Sequence, residues 1–283
     1  MRKLIWTSSG GHCGGYADRL KGIVTAYLLA KQCDREFFIE WNDLTNLQDC
    51  FDVSCAFEGP REQGAGTVGL IDHLETEHEI VFQRDFLRGM AEETIYVSVN
   101  QYDEPHWRVL GDVREFVSET FSRVLNSLLT PKPSVTSPLV GAMSLMQHNR
   151  VGVQVRTGEQ NYPHEHGLKR IEPAEVWERV LQHSRPGSVF VASDSPKWKQ
   201  DFADVNPNLS TFQLCFTPAH IERSEPEEIR RTFMMTVIEH QILSRCSKVY
   251  TGWGGFGRTA AWWGQKPCID LLTATLANAG GRA

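Results

Sequence analysis

No apolar run in these 283 residues approaches the roughly 20 that a bilayer span requires. The chain starts on Arg2 and Lys3, but the apolar stretch behind them, Leu4-Ile5-Trp6, is far too short for a secretory signal. As written, the protein is expected to be soluble and cytoplasmic. Cysteine pairs of CxxC spacing are missing too. The seven cysteines (Cys13, Cys33, Cys50, Cys55, Cys215, Cys246 and Cys268) are odd in number and scattered, which argues against a structural zinc site. They read as mostly free, half-buried thiols, with only Cys50 and Cys55 near enough in sequence to pair across a loop. Excess positive charge is also lacking. A net charge of −6 argues against broad nucleic-acid binding and leaves room for a local basic pocket. No internal repeat or low-complexity tract is present, which excludes solenoids and disordered arrays.

What is present is a chain long enough for two lobes of ordinary size, with 41% hydrophobic residues. Leu4–Thr7 is a short apolar strand. A glycine-rich turn, Ser8 to Gly15, leads into a helical pattern with Leu20, Ile23, Val24, Tyr27 and Leu28 on its apolar face. Strand, glycine loop and helix together bring backbone N–H groups to a helix N-terminus, although the GxGxxG spacing of dinucleotide sites is not met. Phe37–Trp41 and Thr94–Val99 read as strands, and Asp112–Leu129 as an amphipathic helix. Glu58–Gly66 reads as a loop by its Gly and Pro content. Thr130–Pro138 holds three prolines among Ser and Thr, which predicts a stiff extended connector and a domain boundary at 137/138.

Beyond that break, strands alternate with helices. Val151–Arg156, Ser188–Ala192, Thr211–Cys215 and Lys248–Thr251 are strand patterns; Pro173–Gln182, Glu227–Arg245 and Arg258–Trp263 are helical. Such alternation predicts a parallel sheet covered on both faces, with ligands at the carboxyl ends of its strands. The loops at 156–159, 193–196 and 251–258 all follow strands and can share one crevice.

Three features then fall on one sheet edge. Valines 151, 153 and 155 alternate with Gly152 and Gln154, and the strand ends on Arg156. An arginine there needs a partner, and its fork of donors fits a phosphate or carboxylate on two prongs. Either an anionic ligand or a structural salt bridge answers that need. Asp194 and Ser195 add an acceptor and a hydroxyl. Gly252 to Gly257 opens a helix, where anions bind, and Arg258 sits in its first turn, where a cation is unfavourable without an anion nearby. Together they suggest a nucleotide-diphosphate pocket.

Val151-Gly-Val-Gln-Val-Arg-Thr-Gly-Glu159 resembles the arginine motif of the superfamily containing α1,6-fucosyltransferases, xyloglucan fucosyltransferases and protein O-fucosyltransferases. Val189-Phe-Val-Ala-Ser-Asp-Ser195 is similar to its second motif, and Tyr250-Thr-Gly-Trp-Gly-Gly-Phe-Gly-Arg-Thr-Ala-Ala261 to its third. Gly14-Gly-Tyr-Ala-Asp-Arg-Leu-Lys-Gly22 is similar to the glycine-rich start of many members. The resemblance implies an α/β protein of the GT-B fold: two Rossmann-like lobes, a parallel sheet in each, and an inter-lobe cleft. Residues 1–137 would form the acceptor side and 138–283 the nucleotide-sugar side.

The implied activity is metal-independent, inverting transfer of fucose from GDP-fucose to a hydroxyl of a glycan, glycoprotein or peptide acceptor, with no cofactor. The DxD pair usual in metal-dependent glycosyltransferases is absent. Arg156 would hold the β-phosphate of the leaving GDP. Gln154, Asp194, Ser195, Gly254, Gly255, Phe256 and Arg258 would line the donor site, and His220 and Arg223 would reach the nucleotide or sugar. Glu159 is the candidate general base, with Asp18 and His12 as alternatives; Gly14, Gly15, Asp18 and Arg19 form the N-terminal glycine loop. Two departures stand out. Gln154 replaces a histidine found in some branches, and Gly254-Gly255-Phe256 replaces Ser-Ser-Phe, so backbone N–H groups would substitute for hydroxyls. Another nucleotide sugar, or a binding protein without catalysis, are the alternative readings.

Overall fold

The computed structural model describes residues 2–8, 14–41, 45–59, 65–69, 84–99, 117–157, 171–216, 225–252, 254–272 and 276–277. The chain divides into two units, Met1–Thr130 and Pro131–Ala283. The division falls a few residues ahead of the expected 137/138.

In the first unit, β1 (Lys3–Thr7) leads into α1 (Tyr16–Gln32) and then β2 (Glu36–Glu40). α2 (Leu47–Cys50) and β3 (Phe51–Val53) follow, then β4 (Gly66–Gly69), a helical segment α3 (84–89), β5 (Thr94–Ser98) and α4 (Val117–Leu128). The main sheet is parallel throughout, in the order β2-β1-β5-β4. α1 is buried almost all round, which is why its sequence carries little polar face. The α4 stripe is as its spacing predicts: Val117, Phe121, Val124, Leu125 and Leu128 are buried. Val113 and Phe116, expected on the same stripe, lie outside the described residues. β4 begins at Gly66, the last residue of the expected Glu58–Gly66 loop, in a stretch to which the sequence assigns no element; its register with β5 runs from Gly66↔Ile95 to Gly69↔Ser98.

The expected connector is not extended. β6 (Leu129–Pro131) pairs with β3, and α5 runs from Pro133 to Leu145. Pro133 stands in the first turn, where its missing N–H costs nothing, and Pro138 lies inside the helix. The prolines that read as a spacer therefore start a helix and interrupt one of its hydrogen bonds.

The second unit is built on β7 (Arg150–Val155), β8 (Ser188–Ser193), β9 (Ser210–Gln213), β10 (Val249–Thr251), β11 (Cys268–Asp270) and β12 (Leu276–Ala277). The helices are α6 (Pro173–His183), α7 (Pro196–Val205), α8 (Pro226–Ser244) and α9 (Phe256–Gly264). The sheet order is β12-β11-β10-β7-β8-β9, parallel except for β12. Its core gathers Val151, Val153, Val155 and Val191 with Trp177, Trp198 and Phe202. Trp177 and Phe202 stack at 4.5 Å, and each buried indole has a carbonyl partner, Trp177 on Phe202 and Trp198 on Ile171. Trp262 and Trp263 are buried as the α9 pattern predicts.

α8 and α9 approach closely because Gly264 has no side chain. A Cβ there would lie 1.8 Å from the Ser244 carbonyl oxygen, a backbone atom with no rotamer to change. Gly264→Ala is expected to lower stability by about 1–3 kcal/mol, the usual cost of overpacking, read as a fall in the urea midpoint with the m-value unchanged.

Among the described residues no helix is long and apolar enough to cross a membrane, and Cys33, Cys50, Cys55, Cys215, Cys246 and Cys268 are free thiols. Cys50 and Cys55 are therefore not paired. Burial pushes the Cys55 thiol up to about 11.

Candidate active site

Chain order in the second sheet reverses at β7. The chain leaves β7 toward β8 and β9, then returns to place β10 on the other side. At such a switch point the loops after the two central strands diverge and leave a crevice beyond their carboxyl ends, the general ligand position of doubly wound sheets. Arg156 follows the last residue of β7, and Gly252 follows the last residue of β10.

The crevice floor is fixed by cross-strand bonds. Thr251 pairs with Gln154 in the β10–β7 register, and the Thr251 hydroxyl donates to Gln154 Oε1 at 2.9 Å. Gly252 N–H continues the ladder to the Gln154 carbonyl at 2.8 Å. Gln154 is buried under the first turn of α9, where a Cβ on Gly257 would meet its Oε1 and Cβ at 3.0 Å. Gln154 thus shapes the crevice from below.

The two walls meet at Arg156. Gly254 has φ +94°, a conformation that suits glycine, and a Cβ on it would be 3.9 Å from both Cδ and Nη1 of Arg156. Gly255 is the N-cap of α9 and offers no side-chain cap; its carbonyl takes the first helical bond, from Thr259 N–H at 2.8 Å. The N–H groups of Phe256 and Gly257 belong to the turn that has no intrahelical acceptor. A half-buried guanidinium beside a glycine-opened helix N-terminus gives converging donors for an anion.

Asp194 and Thr157 hold this arrangement. Asp194 Oδ1 accepts from the Thr157 N–H at 2.7 Å and its hydroxyl at 3.0 Å, so the end of β8 ties down the turn that carries Arg156. Thr157 opens the turn within the arginine motif, and nothing in the local sequence pairs it with Asp194. Behind α9, His240 is fully buried, with Nε2 3.0 Å from the Thr259 hydroxyl and its ring edge-on to Phe256. Desolvation lowers its pKa to about 3, so the ring is neutral.

Two expected donor contacts are otherwise engaged. Ser195 is buried, and its hydroxyl oxygen caps α7 by accepting from Trp198 N–H at 3.2 Å. Arg258 lies 3.8 Å from Asp270 Oδ2, so the acid at the end of β11 supplies the anion its helix position calls for. Asp270 is the last residue of β11, and nothing in the local sequence pairs it with Arg258.

In the first unit, Gly14, Gly15, Asp18 and Arg19 are brought together. Gly15 caps α1, Arg19 Nε donates to the Gly14 carbonyl at 3.1 Å, and Asp18 pairs with Lys21 at 3.1 Å. Glu159, His220 and Arg223, and with them His12 and Trp253, lie outside the described residues.

No protein-family model and no curated sequence matches the chain. Solved structures do. A variant of FUT1 from Arabidopsis thaliana in complex with GDP superposes with a TM-score of 0.65 at 12% identity, covering 95% of this chain and 70% of that one. The α-1,6-fucosyltransferase NodZ soaked with GDP-fucose gives 0.58 at 14% identity, with 95% of each chain covered. POFUT1 in complex with GDP gives 0.57 at 11% identity over 95% of this chain and 98% of that one.

The chain has the fold of the GT-B fucosyltransferases.

In this GT-B chain the Arg156 turn and the α9 N-terminus belong to the second unit alone, and the β7–β10 switch point positions both.

Proposed function

We propose that the protein is a glycosyltransferase moving fucose from GDP-fucose to a hydroxyl of a glycan or glycoprotein, with inversion at the transferred carbon and without a metal. The observation that carries the reading is the convergence of Arg156 with the Gly254–Phe256 helix start at the switch point. The fold neighbours add support, since several are recorded with GDP or GDP-fucose.

In this reading the acceptor oxygen bonds to the anomeric carbon as the bond from that carbon to the β-phosphate oxygen breaks. The departing GDP takes that electron pair. Its added charge develops where a fixed guanidinium and backbone N–H groups are already oriented, so no reorganisation is needed at the moment of transfer. Arg156 then does what a divalent cation would do at a DxD site. The acceptor proton passes to a base, for which Glu159, just past the Arg156 turn, is our candidate.

Differential scanning with GDP, GDP-fucose, UDP-glucose and ADP-glucose tests the donor. A ligand that binds only the folded state raises the melting temperature, by about 2.7 kcal/mol of stabilisation at 100 times its Kd. GDP and GDP-fucose are expected to raise it. A shift with the UDP- or ADP-sugar and none with either GDP compound would overturn the assignment.

A further inference from the structure

The helix start beside Arg156 is soft by composition. Three of the four residues from Gly254 to Gly257 are glycine, so side chains do little to fix the peptide planes there. Those planes decide what the site can hold. A peptide group is planar, so the direction of its carbonyl sets the direction of the N–H at its other end. The Gly255 carbonyl shares a plane with the Phe256 N–H, and the Phe256 carbonyl shares one with the Gly257 N–H. These N–H groups are the ones the helix leaves for an anion.

One residue holds both carbonyls. Thr259 donates its N–H to the Gly255 carbonyl at 2.8 Å and its hydroxyl to the Phe256 carbonyl at 3.1 Å. The second bond depends on where the hydroxyl proton turns, and His240 Nε2 lies 3.0 Å from the same oxygen. A carbonyl only accepts. The Thr259 proton therefore points at Phe256, and Nε2 carries the hydrogen that meets the Thr259 oxygen. The relay runs one way, from the imidazole on α8 through the hydroxyl to a carbonyl in the first turn of α9. Both His240 and Thr259 are fully buried, where such a bond is stronger than in water. The imidazole also stands edge-on to the Phe256 ring at 5.1 Å and to the Trp263 ring at 5.8 Å. An apolar side chain would fill that aromatic surrounding without the cost of burying a polar ring; what the imidazole adds is the donor.

We propose that His240 is a positioning residue for the anion site: through the Thr259 hydroxyl it fixes the peptide plane that aims the Gly257 N–H, so that this donor and Arg156 meet the same phosphate. That the phosphate belongs to a sugar nucleotide rests on the transfer reading above; the positioning rests on the contacts between α8 and α9.

The test uses the full chain, with GDP and inorganic pyrophosphate titrated by calorimetry and a thermal melt of each variant. His240→Leu keeps an apolar body and removes the donor. Thr259→Val removes the hydroxyl at nearly constant shape. Each should weaken both probes about tenfold, the effect of one hydrogen bond. The double variant should lose no more than either single one, because the histidine acts through the hydroxyl. His240→Gln, whose amide Nε2 reaches about as far as the ring Nε2, should bind both probes within about threefold of the wild type. A role in packing alone predicts the opposite ranking, with leucine better than glutamine at 240. Unchanged affinity in both single variants, losses that add in the double variant, or glutamine binding no better than leucine would overturn the positioning. Should His240→Leu fail to fold, Thr259→Val against His240→Gln decides it on the same affinities. Pyrophosphate bound by the wild type and weakened by the variants, with GDP not bound, would remove the nucleotide and keep the positioning. A wild type that binds neither probe would overturn both.

Discussion

Arg156→Ala is expected to lower the proposed fucosyl transfer by about 10²–10³-fold or more, the range for losing one fixed electrostatic contact to developing charge. The melting temperature should stay within about 2 °C of the wild type, because the residue is half-buried and lies beyond the strand rather than in its ladder. Asp194 holds the turn through Thr157, whose main-chain N–H and hydroxyl remain when the guanidinium is removed. Arg156→Lys should fall between, keeping a charge but losing the planar fork that grips two oxygens. The measurement is GDP release with GDP-fucose at saturating donor, beside a thermal melt of each variant. If the charge acts on the leaving group, kcat falls more than the donor KM rises. Wild-type-like turnover in the alanine variant would remove Arg156 from the mechanism.

The second large effect is on stability and lies away from the crevice. Lys199 on α7 is buried, and its ammonium donates to the carbonyls of Leu214 and Phe216 at 3.1 Å each, with Glu239 Oε1 of α8 at 4.0 Å. It anchors the chain leaving β9 to two helices at once. Lys199→Ala strips both carbonyls and the carboxyl of their buried partner, which should cost about 3–5 kcal/mol. At a few degrees per kcal/mol, the melting temperature should fall by about 10 °C.

Glu239 gives the same site a pH signature. Burial raises its pKa from 4.5 to about 8, and Lys199 draws it back only in part. A folded pKa above the unfolded one means the folded state holds a proton that the unfolded state releases. Its contribution is complete below pH 4.5 and is lost as pH rises through 8. His240, lowered from 6.5 to about 3, acts in the opposite sense: its contribution is present above 6.5 and lost toward 3. Between pH 6.5 and 8 the carboxyl therefore dominates this pair. The urea midpoint of the wild type should fall across that interval more steeply than that of Glu239→Gln. Parallel slopes in the two proteins would show that Glu239 is ionised in the folded state throughout.

Much of the second unit was legible because its strands are buried on both faces and carry the valine-rich runs that follow from this. β7, β8 and β10 could be placed, and with them the loops that must lie at one edge of a parallel sheet. Arg156 stood out for the same reason: a charge ending an apolar run is visible without any neighbour. Partnerships across the fold were not. Lys199 and Glu239 each read as an ordinary helix residue, since nothing in α7 or α8 alone says that one faces the other. Ser195 looked like a ligand group because hydroxyls serve both ligands and helix caps, and Pro196 after it was the cue for the cap. The prolines of 131–138 misled in the same way, because proline suits a first helical turn as well as an extended segment. Gly66-Thr-Val-Gly69 carries no assignment beyond the end of the expected loop at Gly66, because the strand character of β4 comes from β5 beside it.

The floor of the crevice has an evolutionary corollary. Gln154, Thr251 and Gly257 come from two strands and a helix, yet they share one small volume: the hydroxyl bonds the amide, and the glycine leaves no room beyond them. A side chain at position 257 would press on the Thr251 hydroxyl at 2.8 Å and on Gln154 at 3.0 Å, and a shorter residue at 154 would leave that hydroxyl only its longer bond to the Gly252 carbonyl at 3.4 Å. The three positions should therefore change together in descendants of this sequence or not at all, and a histidine introduced at 154 would need its answer at 251 before it could be tolerated.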